Sequence, residues 1–88
     1  MTFLEQELDL ELPERAREIG IKRITIARDT NEITIHYLDT FILSPILGSL
    51  TKTYDILEKR CELFRLSTEV IHWIVVIVQL ELEKEISN

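Results

Sequence analysis

Eighty-eight residues make one domain, and a domain of this size buries only ~60–65% of the surface its unfolded chain exposes, so staples or partner subunits often complete its stability. The single cysteine, Cys61, excludes an internal disulfide, and a free thiol suits a reducing, cytoplasmic compartment. A net charge of −6, from sixteen acidic and ten basic side chains, argues against a protein whose main partner is phosphate backbone.

The first residues carry Glu5, Glu7, Asp9 and Glu11 where an export signal would place basic and then apolar residues. A capping box at residues 2–5 competes here with the strand-like alternation of Leu8, Leu10 and Leu12, so the segment reads as a strand or a short helix, with the strand preferred. Pro13 then opens a short helix over residues 13–19 that Gly20 closes.

The clearest local pattern follows. Ile24 and Ile26, then Ile33, Ile35 and Tyr37, alternate with polar or smaller residues on either side of the turn-rich Asp29, Thr30, Asn31 and Glu32. This predicts an antiparallel hairpin with one buried isoleucine face, and Arg23, Thr25, Thr34 and His36 on the opposite face toward solvent or a polar partner.

Ser44 and Pro45 read as the start of a helix. From there Leu43, Leu47, Leu50, Tyr54, Leu57, Cys61 and Phe64 recur alternately four and three residues apart, the seam of a helix that packs against another helix. The register continues through Thr68, Ile71, Val75, Val78 and Leu82, which allows one long helix over residues 44–86 or two broken at Leu66, Ser67 and Thr68 with Ser67 as the second N-cap. Residues 70–78 have the β-branched and aromatic composition of a buried strand. The continuing register favours helix. The expected fold class is therefore α+β, with strand or short helix, hairpin, and one long or two consecutive C-terminal helices.

Read as a helix, residues 70–82 are apolar on almost every side, and such a helix is buried all round. One ribbon and one helix pair leave it short of cover, so packing between subunits is expected, through Leu50, Tyr54, Leu57, Cys61, Phe64, Ile71, Trp73, Val75, Val78 and Leu82. The apolar run falls well short of the ~20 residues of a membrane-spanning helix, so no membrane partner is expected.

No chemistry-bearing motif assembles. His36, His72 and Cys61 match no zinc spacing, so neither a metal nor a cofactor is expected. Cys61 reads as a small core residue at a seam position, His36 as a surface residue of the hairpin, and His72 as a hydrogen-bonded interface residue. Nucleophile motifs and phosphate-cradling glycine loops are missing, so no catalytic residue is assigned and an enzyme is not expected. The leading expectation is a homo-oligomeric interaction or regulatory module that meets an unidentified macromolecule. One alternative is a small-ligand-binding oligomer with an interface pocket lined by Arg23, His36 or His72. The other is a nucleic-acid-binding regulator using Lys22, Arg23 and Arg28, or Lys52, Lys59, Arg60 and Arg65, which the net charge opposes.

Overall fold

Alternating isoleucines build the centre of the fold. In β2 (Ile21–Ala27) and β3 (Glu32–Tyr37), antiparallel pairing sets Ile24 opposite Ile35 and Ile26 opposite Ile33, because residues two apart share one face of a strand. The expected hairpin is present and these four isoleucines are buried. Its turn passes through Asn31, whose φ of 53° is a left-handed conformation that asparagine tolerates better than most residues. The computed structural model describes residues 7–87, and the capping box at residues 2–5 lies outside them.

Among the described residues the protein is α+β, with one four-stranded antiparallel sheet in the order β1-β2-β3-β4. The opening segment is a strand, β1 (Glu7–Asp9), paired with β2 through Leu8 and Ile26. Leu10 and Leu12 beyond it are buried. Pro13 caps α1 (Glu14–Glu18), and Gly20 follows with φ of 108°, a conformation that only glycine adopts at little cost.

The strand β4 (Thr40–Pro45) corrects the sequence reading, which starts a helix at Ser44 and puts Leu43 on a helical seam. Ile42 faces Ile35 and Ser44 faces Ile33 on the inner side, while Phe41 and Leu43 pair with His36 and Thr34 on the outer side. The strand hides its alternation, because the outward residues Phe41 and Leu43 are apolar and the inward Ser44 is polar. Pro45 ends it, as proline is tolerated on an edge strand. The Ser44 hydroxyl is buried without a hydrogen-bond partner. Since an orphaned buried hydroxyl costs ~1–3 kcal/mol, Ser44→Ala is expected to raise stability by about 1 kcal/mol in chemical denaturation.

The helix begins later, as α2 (Leu50–Leu63), after Ser49, whose Oγ accepts the Lys52 amide at 3.3 Å. Buried Thr53 reinforces this start by donating to the Ser49 carbonyl at 2.9 Å and accepting from the Leu47 amide at 2.8 Å. Leu47 therefore lies in the connection rather than on the helix. Arg60 of α2 reaches the edge strand β4 and donates to the Leu43 carbonyl at 2.8 Å.

Two helices follow rather than one. The Arg65 amide donates to the Glu62 carbonyl and the Leu66 amide to the Cys61 carbonyl, the paired bonds of a Schellman cap. Ser67 then caps α3 (Thr68–Ser87) by accepting the Val70 amide at 3.3 Å, and residues 70–78 are helical. The heptad register runs through the break because a turn can change direction while keeping the count. Arg65 holds φ of 62°, where side chains other than glycine are strained. Arg65→Gly is expected to raise stability by up to about 1 kcal/mol, read as a higher urea midpoint.

Tyr54 near the start of α2 donates to Glu83 near the end of α3 at 3.3 Å, so the two helices are antiparallel. Leu57 and Cys61 from α2 and Ile71, Ile74 and Val78 from α3 share one core with the sheet's isoleucines. The sheet gains a fourth strand against which α2 packs, while α3 meets the sheet chiefly at β2, and the inner face of α3 is buried within the chain. Among the described residues no helix is long and apolar enough to cross a membrane.

Candidate functional site

Among the described residues, apolar side chains remain uncovered on α3, on the outer face of the sheet, at Leu63 and Phe64 on the end of α2, and at Leu38 between β3 and β4, and the first two areas carry recesses. The first is on α3. Its inner face, with Val70, Ile71, Ile74, Ile77, Val78 and Leu82, is buried within the chain. A second stripe, Trp73, Val76 and Leu80, has the three-and-four spacing that lines one side of a helix. Trp73 and Val76 are half-buried and Leu80 is 68% exposed. With Leu10, Glu11 and Pro13 opposite, the stripe forms a groove of 390 Å³ that also includes Ile77, Glu81 and Lys84.

The ends of this groove differ in charge. Arg15 of α1 binds Glu69 in the first turn of α3 through two nitrogens at 2.9 and 3.0 Å, so the wall of Glu11 and Pro13 leads to the N-terminal end of α3. That guanidinium, through its hydrogen bonds, holds the Glu69 carboxyl below the usual carboxylate range. At the other end Glu81 lies 3.8 Å from Arg28 and 3.6 Å from Lys84.

The second uncovered area is the outer face of the sheet. A recess of 330 Å³ there is lined by Glu7, Arg23, Thr25, Thr34, His36 and Phe41, one or two residues from each strand. The His36 and Phe41 rings stack with centroids 4.2 Å apart and planes at 26°, and Phe41 is 61% exposed. Arg23 straps β2 to β1 through two bonds to Asp9 at 2.6 and 2.9 Å. Its hydrogen bonds hold the Asp9 carboxyl below its ordinary value. The strap is therefore intact at neutral pH and opens only in acid, as pH falls through that lowered pKa. With its guanidinium engaged, the face offers a planar stacking platform, the Thr34 hydroxyl and the Glu7 carboxylate.

The sequence-derived partner residues divide. Arg23 and His36 share this recess, whereas His72 lies in a separate cleft between the helices with Glu58, Glu62, Leu66, Thr68, Ile71 and Val75. Among the described residues no group of three or more His, Cys, Asp or Glu side chains is arranged to hold a metal ion.

The expected interface residues divide as well. Leu57, Cys61, Ile71, Val78 and Leu82 are buried in the chain's own core. Leu50, Tyr54 and Val75 pack against that core as half-buried side chains, and Phe64 caps α2 at 50% exposure. Trp73 alone among them lines the α3 groove. Burial first, and then Glu58 and Glu62, push the Cys61 thiol up to about 11, so it stays protonated and behaves as a small apolar side chain. Burial first, and then Glu83, raise the Tyr54 hydroxyl to about 12. Sequence reasoning missed Val76, Leu80 and Phe41. The spacing of Trp73, Val76 and Leu80 is a usable signal, but it is masked by the longer register beside it. Compared with known proteins, the chain matches no family model, no curated protein and no solved structure.

Proposed function

We propose that the protein is a cytoplasmic, homo-oligomeric interaction module with no catalytic activity of its own. The observation that carries this reading is the second apolar stripe of α3, which stays uncovered after the core has closed: Leu80 is 68% exposed beside half-buried Trp73 and Val76. Leaving a large apolar side chain in water forgoes about 1.5–3 kcal/mol of burial, and contiguous exposed apolar patches mark contact sites more often than isolated residues do. On this reading the stripe holds copies together and leaves the outer sheet face, with Phe41 and His36, free to meet a further macromolecule.

The test is mass in solution. Gel filtration with light scattering is expected to give a multiple of the 10.4 kDa chain mass at micromolar concentration. A single-chain mass throughout would overturn the reading.

The recess on the sheet face favours a second reading, a small-ligand binder. Stacked rings, a threonine hydroxyl and a carboxylate converge there on a concavity of 330 Å³, near the lower end of ordinary ligand pockets. Native mass spectrometry of the purified protein separates the two. A co-purifying small molecule lost in Phe41→Ala supports the ligand reading, and bare oligomers support the first.

A further inference from the structure

We infer that the α3 groove is occupied by the same groove of a second copy, the two α3 helices packing antiparallel about a two-fold axis between Ile77 and Leu80. This rests on the homo-oligomeric reading above and names its surface, partner and geometry.

Two observations select this occupant. The first is shape. Trp73, Val76 and Leu80 repeat at the spacing that lets a helix interlock with another helix, and the span from Trp73 to Lys84 is about 18 Å of helix at 1.5 Å per residue. Leu10 and Pro13 widen the contact beyond the helix itself. The second is charge. A two-fold contact joins a surface to itself, so every group must suit the group related to it by the axis. Lys84 lies one helical turn beyond Leu80 on α3, and Glu11 is on the opposite wall, which leads toward the N-terminal end of α3 where Arg15 binds Glu69.

Antiparallel pairing about the proposed axis brings Val76 against Leu80 of the second copy. It lays Lys84 over Trp73 and toward Glu11 of that copy, where the ammonium meets an aromatic face and a carboxylate. Glu81 does not oppose this, because Arg28 at 3.8 Å offsets its charge. Parallel pairing would instead set Lys84 beside Lys84 and Glu11 beside Glu11. The outer sheet face is a poorer self-contact, since Glu7 and Glu32 add acidic charge on one side while its only described arginine, Arg23, is strapped to Asp9.

The experiment is sedimentation and light scattering on the full chain and four variants, with circular dichroism to verify folding. The parent is expected at twice 10.4 kDa. Leu80→Asp, at an exposed position, is expected at one chain mass with an unchanged spectrum. Lys84→Glu and Glu11→Lys are each expected to raise the dimer dissociation constant roughly tenfold, and the double variant to restore the parental constant. A parent that is oligomeric while Leu80→Asp and both charge variants keep its mass and affinity overturns this geometry and leaves the homo-oligomeric reading standing. A monomeric parent overturns both.

Discussion

Replacing Ile74 by aspartate is expected to abolish the folded state. Ile74 is fully buried on the inner face of α3, in the cluster that joins both helices to the sheet, and among the described residues no cationic residue is buried. A carboxylate there must ionise in an apolar site or bind a proton, at a cost of several kcal/mol. Small domains hold only ~5–15 kcal/mol in total. The thermal transition followed by circular dichroism should disappear or fall below ambient temperature. The matched control is Leu63→Lys in the last turn of α2, where the side chain is 80% exposed and a cation suits the helix end. It should stay within about 0.5 kcal/mol of the parent. A parental melt for Ile74→Asp would mean that this face of α3 meets water and that the core is misplaced.

Gly20→Ala should have the next largest effect. A Cβ at Gly20 would lie 2.9 Å from Leu38 Cδ2 and 2.9 Å from Tyr37 Cε1, on a backbone with φ of 108°. Both contacts are with side-chain atoms that can give way, Leu38 being 49% exposed, so the backbone conformation carries the larger share of the cost. Adding the left-handed penalty of ~1–2 kcal/mol to an overpacking cost at the low end of its range, ~1 kcal/mol, gives a loss on the order of 2–3 kcal/mol. For a domain of this size that is a fall in melting temperature on the order of 10–20 °C. Gly48 supplies the comparison: a Cβ there meets nothing within 4 Å. Gly48→Ala should hold or raise stability by about 0.4–1 kcal/mol through the unfolded chain. Equal melting temperatures for the two variants would sink the steric argument.

These two positions also show what was legible in the sequence. Gly20 reads as a helix terminator from its place after residues 13–19, yet its tight approach to Tyr37 and Leu38 depends on a sheet contact far along the chain. Ile24, Ile26, Ile33 and Ile35 announce their hairpin because polar partners alternate with them on a sheet open to water on one side. Phe41 and Leu43 defeat the same logic: they face outward and are apolar, so β4 reads as the beginning of a helical seam. The helices were legible as faces but not as assignments. Periodicity finds Leu57, Cys61, Ile71, Val78 and Leu82 in one register, and the fold spends that register on its own sheet. Trp73, Val76 and Leu80 remain outside it. Deciding which of two apolar stripes meets the sheet requires knowing how the helices lie on it, and the reading of Ser44 and Pro45 as a helix start hid the strand on which α2 packs.

The bond from Arg60 to the Leu43 carbonyl bears on how far association can run. An unpaired border strand invites an extended segment of another molecule to add beside it, and each addition exposes a fresh border, so growth has no natural end. Here a side chain anchored on α2 already occupies an acceptor on that border at 2.8 Å. An incoming strand would have to displace that guanidinium to pair there. The molecule is thereby biased away from fibrous accretion and toward contacts between side-chain surfaces, which close after a fixed number of copies.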